Sequence, residues 1–417
     1  MGFTFIHSAD VHLDSPMQGL VHYEGAPTEH LLKVTRQAFV SLINAALEHS
    51  VDFLIIAGDL YDGAWPDFST GLFFNRELER LKGIPVYLIY GNHDAEKKMT
   101  KKIPSPQNLF LFRSDEPHSL TVPNLPVTIH GQSFSTPAVT DNLARSYPAP
   151  QPGHYNIGML HTGLEGSANH ANYAPCTLNE LKSTGYNYWA LGHIHIAEVL
   201  HEKPHIIFPG CLQGRHIKET GRKGATLVTV DDGFSAITTP LYFDHARWVE
   251  IDIPLDDART YEEAQTAIDR QLNSLISQNE EPLPEIFAVR VVLKGATLCH
   301  SEITVKQTEI LSYTRELSKT ISPPIYIEDV KFKTTPHDNK IALSPLILDI
   351  LKNEFEIIRN DPLADPVIAD YVKEVKKYIP TKLLKMESFP QPEAPFLLED
   401  ALQEGYDRLL QELLQEI

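Results

Sequence analysis

The chain is poor in cysteine, in long apolar runs and in positive charge, and each shortage closes off a class of protein. Its 417 residues hold three cysteines, Cys176, Cys211 and Cys299, far apart in the chain and without a C-x-x-C pair. A disulfide framework is therefore excluded, and the three thiols are expected to pack as small apolar groups. No apolar run approaches the length of a membrane span, and the opening residues lack the basic and apolar segments of a secretion signal, so a cytoplasmic location is expected. With 36 basic against 55 acidic residues, a formal charge of −19, the surface as a whole cannot hold a polyanion by general attraction. A polyanionic substrate has to be met locally. Two basic clusters offer themselves, Lys97, Lys98, Lys101 and Lys102, and then Arg215, Lys218, Arg222 and Lys223.

What is present is an ample apolar supply, 42% of residues, arranged in two ways. Short apolar runs at Phe3 to Ala9, Phe53 to Ala57 and Val86 to Tyr90 alternate with helical patterns at about Leu31 to His49 and Thr70 to Leu81, which predicts an α/β sandwich. Further strands are expected at Val127 to Gly131, Tyr155 to Leu160, Tyr188 to Leu191, Glu198 to Phe208, Ala225 to Val230 and Ile237 to Phe243, with more antiparallel pairing than in the first part. From Arg247 a smaller β-α-β-α-β pattern begins, with helices at Tyr261 to Ile276 and Glu302 to Leu317. From about Ser344 the apolar residues recur at helical spacing between prolines.

Seven residues of metal-ligand type follow the first strands: Asp10 and His12, Asp59 after Gly58, Asn92 in Gly91-Asn-His-Asp94, His161, and His193 and His195 after Gly192. Each sits just past an apolar run, so a sheet would gather them along one edge. A phosphoester repels nucleophiles through its negative oxygens. A pair of metals about 3.5 to 4 Å apart answers this by neutralising charge and acidifying water, and a carboxylate such as Asp59 is the natural bridge between them. Asp10 and His12, alternating in extended chain, can point to one side. Mixed carboxylate, amide and imidazole ligation suits two divalent metals, Mn²⁺ first, with Fe²⁺ or Zn²⁺ as alternatives. His93 has the place of a general acid, with Asp94 as the group to orient its ring. The remaining histidines, among them His7, His22, His30, His49, His130, His170, His201 and His205, are read as surface or core residues, and His216 as ambiguous.

The series Asp-x-His, Gly-Asp, Gly-Asn-His-Asp, His and Gly-His-x-His resembles the signature of the calcineurin-like metallophosphoesterases. Within them the chain is similar to DNA repair exonucleases of the SbcD class, YhaO-like branch, through Ala9–Pro16, Gly58–Asp62, Tyr90–Asp94, Ala190–His195 and Phe208–His216. The resemblance covers residues 1 to 245 well and the rest by layout. It implies Asp10, His12, Asp59 and His195 on one metal and Asp59, Asn92, His161 and His193 on the other, His93 as catalytic histidine, and a supporting role for Asp62. It also implies Mn²⁺-dependent cleavage of DNA, a capping domain, and a C-terminal segment that docks on an SMC-like coiled-coil ATPase of the SbcC or Rad-fifty kind.

The expected architecture is thus a nuclease domain at 1–245, a β-sandwich flanked by helices, then an α/β capping domain at 246–335 and a helical segment at 340–417. The expected function is a metal-dependent DNA exonuclease acting on double-stranded ends in a repair complex. Two rivals stay open: a small-nucleotide phosphodiesterase or phosphatase, and a non-catalytic scaffold for the ATPase. Two structural choices are also open. The C-terminal helices can dock a partner or pack on their own domain, and the helical face near Leu31 to Ala46 can serve a homodimer or the core.

Overall fold

The structure, a computed structural model of the chain, describes residues 2–15, 17, 31, 33–63, 68–98, 103–165, 173–279, 281–337, 345–379, 392 and 395–415. Lys101 and Lys102 of the first basic cluster, and His22, His30 and His170, lie outside the described residues. The described chain forms two compact units, one of residues 1–251, 271–291 and 313–330, the other of 252–270, 292–312 and 331–417.

In the first unit β1 (Phe3–Ser8), β2 (Phe53–Ala57), β3 (Val86–Ile89) and β4 (Leu109–Leu111) run parallel. Helices α1 (Val34–Glu48) and α2 (Ser69–Glu79) make the first two crossovers. A second sheet has the order β5 (His118–Thr121), β6 (Val127–Gly131), β7 (Tyr155–His161), β8 (Tyr188–Gly192), β10 (His205–Phe208), β9 (Glu198–Glu202), with α3 (Leu178–Ser183) between β7 and β8. Its four inner strands are parallel and its two edge strands antiparallel. Then β11 (Gly224–Val230) and β12 (Ala236–Tyr242) return antiparallel to the first sheet beside β1. Antiparallel pairs are therefore commoner among the later strands, as the sequence pattern suggests.

The period-two alternation of the strands decides which side chain serves which layer. Phe5, Phe53 and Ile55 of the first sheet meet Tyr155, Ile157, Met159 and Tyr188 of the second in one buried core. Phe5 stacks on Phe53 at 4.8 Å and meets Tyr188 edge-on at 5.3 Å. Ile6, Leu54 and Ile56 point the other way, toward Ala38, Phe39, Leu42 and Ile43 of α1 and Phe74 and Leu78 of α2. The apolar face near Leu31 to Ala46 is thereby spent on core packing. Burying each such side chain contributes roughly 1.5 to 3 kcal/mol.

Two expected elements differ in detail, and two edge strands are additional. Glu198 to Phe208 is a hairpin of two strands rather than one, because Pro204 has no N–H to donate and the chain turns at Lys203 and Pro204. The edge strands β4 and β5 are additional elements, three and four residues long. The helix expected at Glu302 to Leu317 is divided at Lys306 into α5 (His300–Val305) and α6 (Gln307–Ser318) once α4 (Tyr261–Ser277) has been passed. The sheet of this region has the order β13 (Ala246–Pro254), β14 (Ile286–Thr297), β15 (Ile325–Pro336). Its Ala246, Trp248, Ile286 and Ala288 pack with Met17, Leu31 and Val34 inside the first unit.

The second unit contains α7 (Pro345–Asn360), α8 (Pro366–Tyr378) and α9 (Pro395–Gln415). Asp365 caps α8 by accepting from the N–H groups of Val367 and Ile368, and Pro366 takes the first helical position, where no donor is needed. Phe355 stacks on Tyr406, centroids 4.2 Å apart, and Arg359 pairs with Glu399, which ties α7 to α9. The three cysteines are free and buried. No helix among the described residues is long and apolar enough to cross a membrane.

Candidate metal centre

Parallel strands deliver their C-terminal ends to one edge, and that edge is where loops of these folds gather reactive groups. The loop after β1 carries Asp10 and His12, the loop after β2 Asp59, the loop after β3 Asn92 and His93, the end of β7 His161, and the loop after β8 His193 and His195. All seven expected ligands are brought together. Four of them, Asp10, His12, Asp59 and His193, sit at positive φ, a strained conformation for residues with a Cβ. The strain is held by backbone hydrogen bonds from Asp10 to the Gly58 carbonyl and from His12 to the Asp59 carbonyl, each 3.0 Å.

Asp59 stands at the middle. Its Oδ2 is 3.8 Å from His12 Nε2 and 3.4 Å from His161 Nε2, and its Oδ1 accepts from the His93 backbone N–H at 2.9 Å. On one side His12 Nε2 faces His195 Nε2 at 3.4 Å, with Asp10 Oδ1 3.7 Å from the latter. On the other, His161 donates from Nδ1 to the Ala57 carbonyl at 3.1 Å, leaving Nε2 toward Asn92 Oδ1 at 3.0 Å. The His193 ring lies 5.3 Å from the His161 ring, and the His193 backbone N–H donates to Asp10 Oδ2 at 3.0 Å. The room is cut to size by glycine: a Cβ on Gly91 would overlap Asp59 Oδ1 and come within 2.7 Å of His161 Nε2, and one on Gly58 would overlap the His161 ring.

Lone-pair atoms of buried groups pointing at one another are costly unless a proton or a cation lies between them. Asp10, His12 and His195 form one set of ligand atoms within 4.8 Å of one another, and Asp10, Asp59 and His161 form another. Burial pushes the Asp10 carboxyl up. It works in the same direction on Asp59, where the His161 and His12 rings override it and hold the carboxyl well below its usual range. Burial, reinforced by Arg215, lowers His12 to about 3, which keeps it a neutral ligand. Burial also opposes a charge on His161, but the Asp59 carboxylate overrides it and raises the imidazole to about 9. The donor set of imidazole, carboxylate and amide oxygen fits divalent metals, with Asp59 Oδ2 within 4 Å of an imidazole on either side and Asp10 common to both sets.

His93 stands beside this cluster, and its orienting partner is Asp62, not Asp94. Its Nδ1 is 2.5 Å from Asp62 Oδ1, and that hydrogen bond raises the His93 pKa. Asp94 instead turns inward: its carboxylate accepts from the backbone N–H of Gly91 at 2.7 Å, Leu60 at 2.8 Å and Tyr61 at 3.3 Å, bracing the loops after β2 and β3.

The second basic cluster is largely taken inside. The Arg215 side chain is 10% exposed and Lys223 is buried, Arg222 covers the Tyr242 ring, and Lys218 remains exposed. In the first cluster the Lys98 ammonium lies 3.4 Å from the Asn92 carbonyl, at the rim of the site. Glu219 is a functional group that the motifs do not reveal. It accepts from His195 Nδ1 at 2.5 Å, so the other nitrogen of that ring faces the cluster, and it takes a 3.2 Å bond from Arg215. His216 Nε2 is 3.3 Å from the same carboxylate, which makes it part of this shell. His7 and His130 are core residues, hydrogen-bonded to Tyr188 and to Ser119 and Asn156.

Residues 3–197 match the calcineurin-like phosphoesterase family, and residues 248–335 match the middle domain of the metallophosphoesterase YhaO. The chain is 41% identical over 239 residues to the uncharacterized metallophosphoesterase YhaO of Bacillus subtilis (strain 168), a stretch that covers 55% of this chain and 58% of that protein. It is 30% identical over 239 residues to the DNA double-strand break repair protein Mre11 of Sulfurisphaera tokodaii, covering 54% and 58%. The chain thus spans less than two thirds of each relative.

Proposed function

We propose that this chain, whose residues 3–197 match the calcineurin-like phosphoesterase family, is a dinuclear-metal phosphodiesterase acting on DNA. The observation that carries the reading is Asp59, one carboxylate within 4 Å of both imidazole groups, with the His93–Asp62 pair beside it. Two divalent metals, Mn²⁺ by our reading, would be held by Asp10, His12, Asp59 and His195 and by Asp59, Asn92, His161 and His193. When bound they neutralise the phosphoryl oxygens and supply a nucleophile near neutral pH. The chain's own part is proton and charge management. The attacking water gives up a proton as its oxygen bonds to phosphorus, the opposite P–O bond breaks in line, protonated His93 gives its Nε2 proton to the departing deoxyribose oxygen, and the proton released by the water restores His93 through solvent. Asp62 holds Nδ1 and balances the imidazolium charge.

DNA as substrate is supported by the likeness to a protein named for double-strand break repair and by Lys98 at the rim of the site. In this reading residues 1–245 are the nuclease, 246–335 a cap and 340–417 a docking segment for an SMC-like ATPase. The docking role is supported by Val367, Tyr371 and Tyr378 on α8, which are 77, 71 and 85% exposed. The test is degradation of end-labelled duplex DNA in Mn²⁺, beside a His93→Ala variant and bis-p-nitrophenyl phosphate. Cleavage of DNA that the variant loses is the expected result. Turnover of the small diester with DNA untouched, even with the ATPase supplied, would transfer the reading to a nucleotide phosphodiesterase.

A further inference from the structure

Resting on the phosphodiesterase reading, we propose that Arg215 is a positioning residue for His93, acting through Ser15 and Asp62. Arg215 belongs to the Phe208–His216 motif, which the metal ligands leave unused. Its guanidinium is withdrawn from solvent, and although Nε has no hydrogen-bond partner, both terminal nitrogens find acceptors within the protein. Nη2 donates to Glu219 Oε1 at 3.2 Å, and the Arg215 backbone N–H donates to Glu219 Oε2 at 2.7 Å, which fixes the side chain at its root and its tip. Nη1 donates to Ser15 Oγ at 3.1 Å and lies 3.8 Å from Asp62 Oδ2.

A hydroxyl has one proton. Ser15 receives the Arg215 N–H on a lone pair and commits its own O–H to Asp62 Oδ2 at 2.8 Å. The second carboxylate oxygen, Oδ1, is the one 2.5 Å from His93 Nδ1. The bonds therefore run in a fixed direction, from guanidinium to hydroxyl to one carboxylate oxygen, with the imidazole on the other. This matters because the two outer members are loose: the His93 side chain is 41% exposed and Asp62 28%. Neither is packed tightly enough to hold a rotamer alone, whereas Arg215 and Glu219 are buried. The rigid pair fixes Asp62, Asp62 fixes Nδ1, and Nε2 of His93 is left to meet the leaving oxygen.

Two measurements test this. The first is a double-mutant cycle of Arg215→Met and Ser15→Ala with His93→Ala, on aryl phosphodiesters with p-nitrophenyl and phenyl leaving groups. Each variant should lower kcat about tenfold for the phenyl diester, a part of the about 10²- to 10⁴-fold worth of a general acid. The loss should be much smaller for p-nitrophenyl, which needs no proton, with KM unchanged. In the His93→Ala background neither variant should cost anything more. Equal losses with both leaving groups, or losses that multiply with His93→Ala, would overturn the proposal. Ser15→Ala keeps the Arg215–Glu219 pair and serves if Arg215→Met fails to fold.

The second measurement needs no activity: proton NMR of the metal-free, ¹⁵N-histidine-labelled protein. The His93 Nδ1–H, identified by its loss in His93→Gln, should be a downfield signal that moves upfield or exchanges away in Arg215→Met and Ser15→Ala. An unchanged signal in both would sink the proposal whatever the enzyme's substrate. A wild-type protein inactive on every diester would count against the phosphodiesterase reading and leave the NMR result to decide the Arg215 link.

Discussion

The strand ends of the first unit and the helices after Pro345 invert the usual rule of burial in opposite ways. Around the ligand cluster, Asp10, His12, Asp59 and His161 are buried although they are polar or charged; along α8, Val367, Tyr371 and Tyr378 are exposed although they are apolar. Either inversion is unfavourable for a chain alone. In the proposed reading each is relieved by something bound: cations for the buried ligands, a protein surface for the exposed face. The difference is that the first region is over-determined, by strained backbone, close glycines and a second layer of Glu219 and Arg215, whereas in α8 Val372 is the one buried side chain among the described residues.

The comparison can be broken most severely at its centre. Asp59→Asn keeps shape and removes the shared charge, so hydrolysis of bis-p-nitrophenyl phosphate in Mn²⁺ should fall by at least about 10⁴-fold, beyond the reach of any single proton-transfer group. A variant within tenfold of wild type would mean that no bridging carboxylate is needed. Next, His93→Ala should lower kcat on DNA by about 10²- to 10⁴-fold while metal binding is unaltered. If calorimetry showed that Mn²⁺ affinity had fallen as well, His93 would belong to the ligand set instead. One layer further out, Glu219→Gln should weaken Mn²⁺ binding by about 10- to 100-fold, the usual worth of an outer partner on a ligating histidine, and an unchanged titration would mean that His195 does not depend on it.

The smallest effect belongs to the other region. Tyr371→Ser or Val367→Ser should alter thermal stability by no more than about 0.5 kcal/mol, since these side chains are already in water. A large drop in Tm would show that they pack in the folded chain. A weakened association with a coiled-coil ATPase, at unchanged Tm, would sharpen the contrast between a site built for cations and a face built for protein.

The ligand cluster was legible because each group follows a strand of hydrophobic residues and carries a glycine or histidine neighbour at short spacing; strand ends converge whatever the distance in sequence. Asp59 and His161 are 102 positions apart and 3.4 Å apart in space for that reason. Glu219 had no such signal. It stands alone between Lys218 and Thr220, and its role depends on the loop before β11 folding back onto His195. The roles of Asp62 and Asp94 escape the sequence for a related reason, since side-chain direction in a tight loop follows backbone turns that no periodicity records. Likewise Arg215 and Lys223 read as a basic cluster because charge is visible in a sequence and burial is not.

Whether the cluster around Asp59 holds two metals is decided by the metal content of the chain after dialysis against Mn²⁺, measured by elemental analysis on wild type and Asp59→Asn. Close to two Mn²⁺ per wild-type chain and clearly fewer in the variant are expected. A wild-type chain that retains no metal, or a variant that retains as much as wild type, would contradict a two-metal centre.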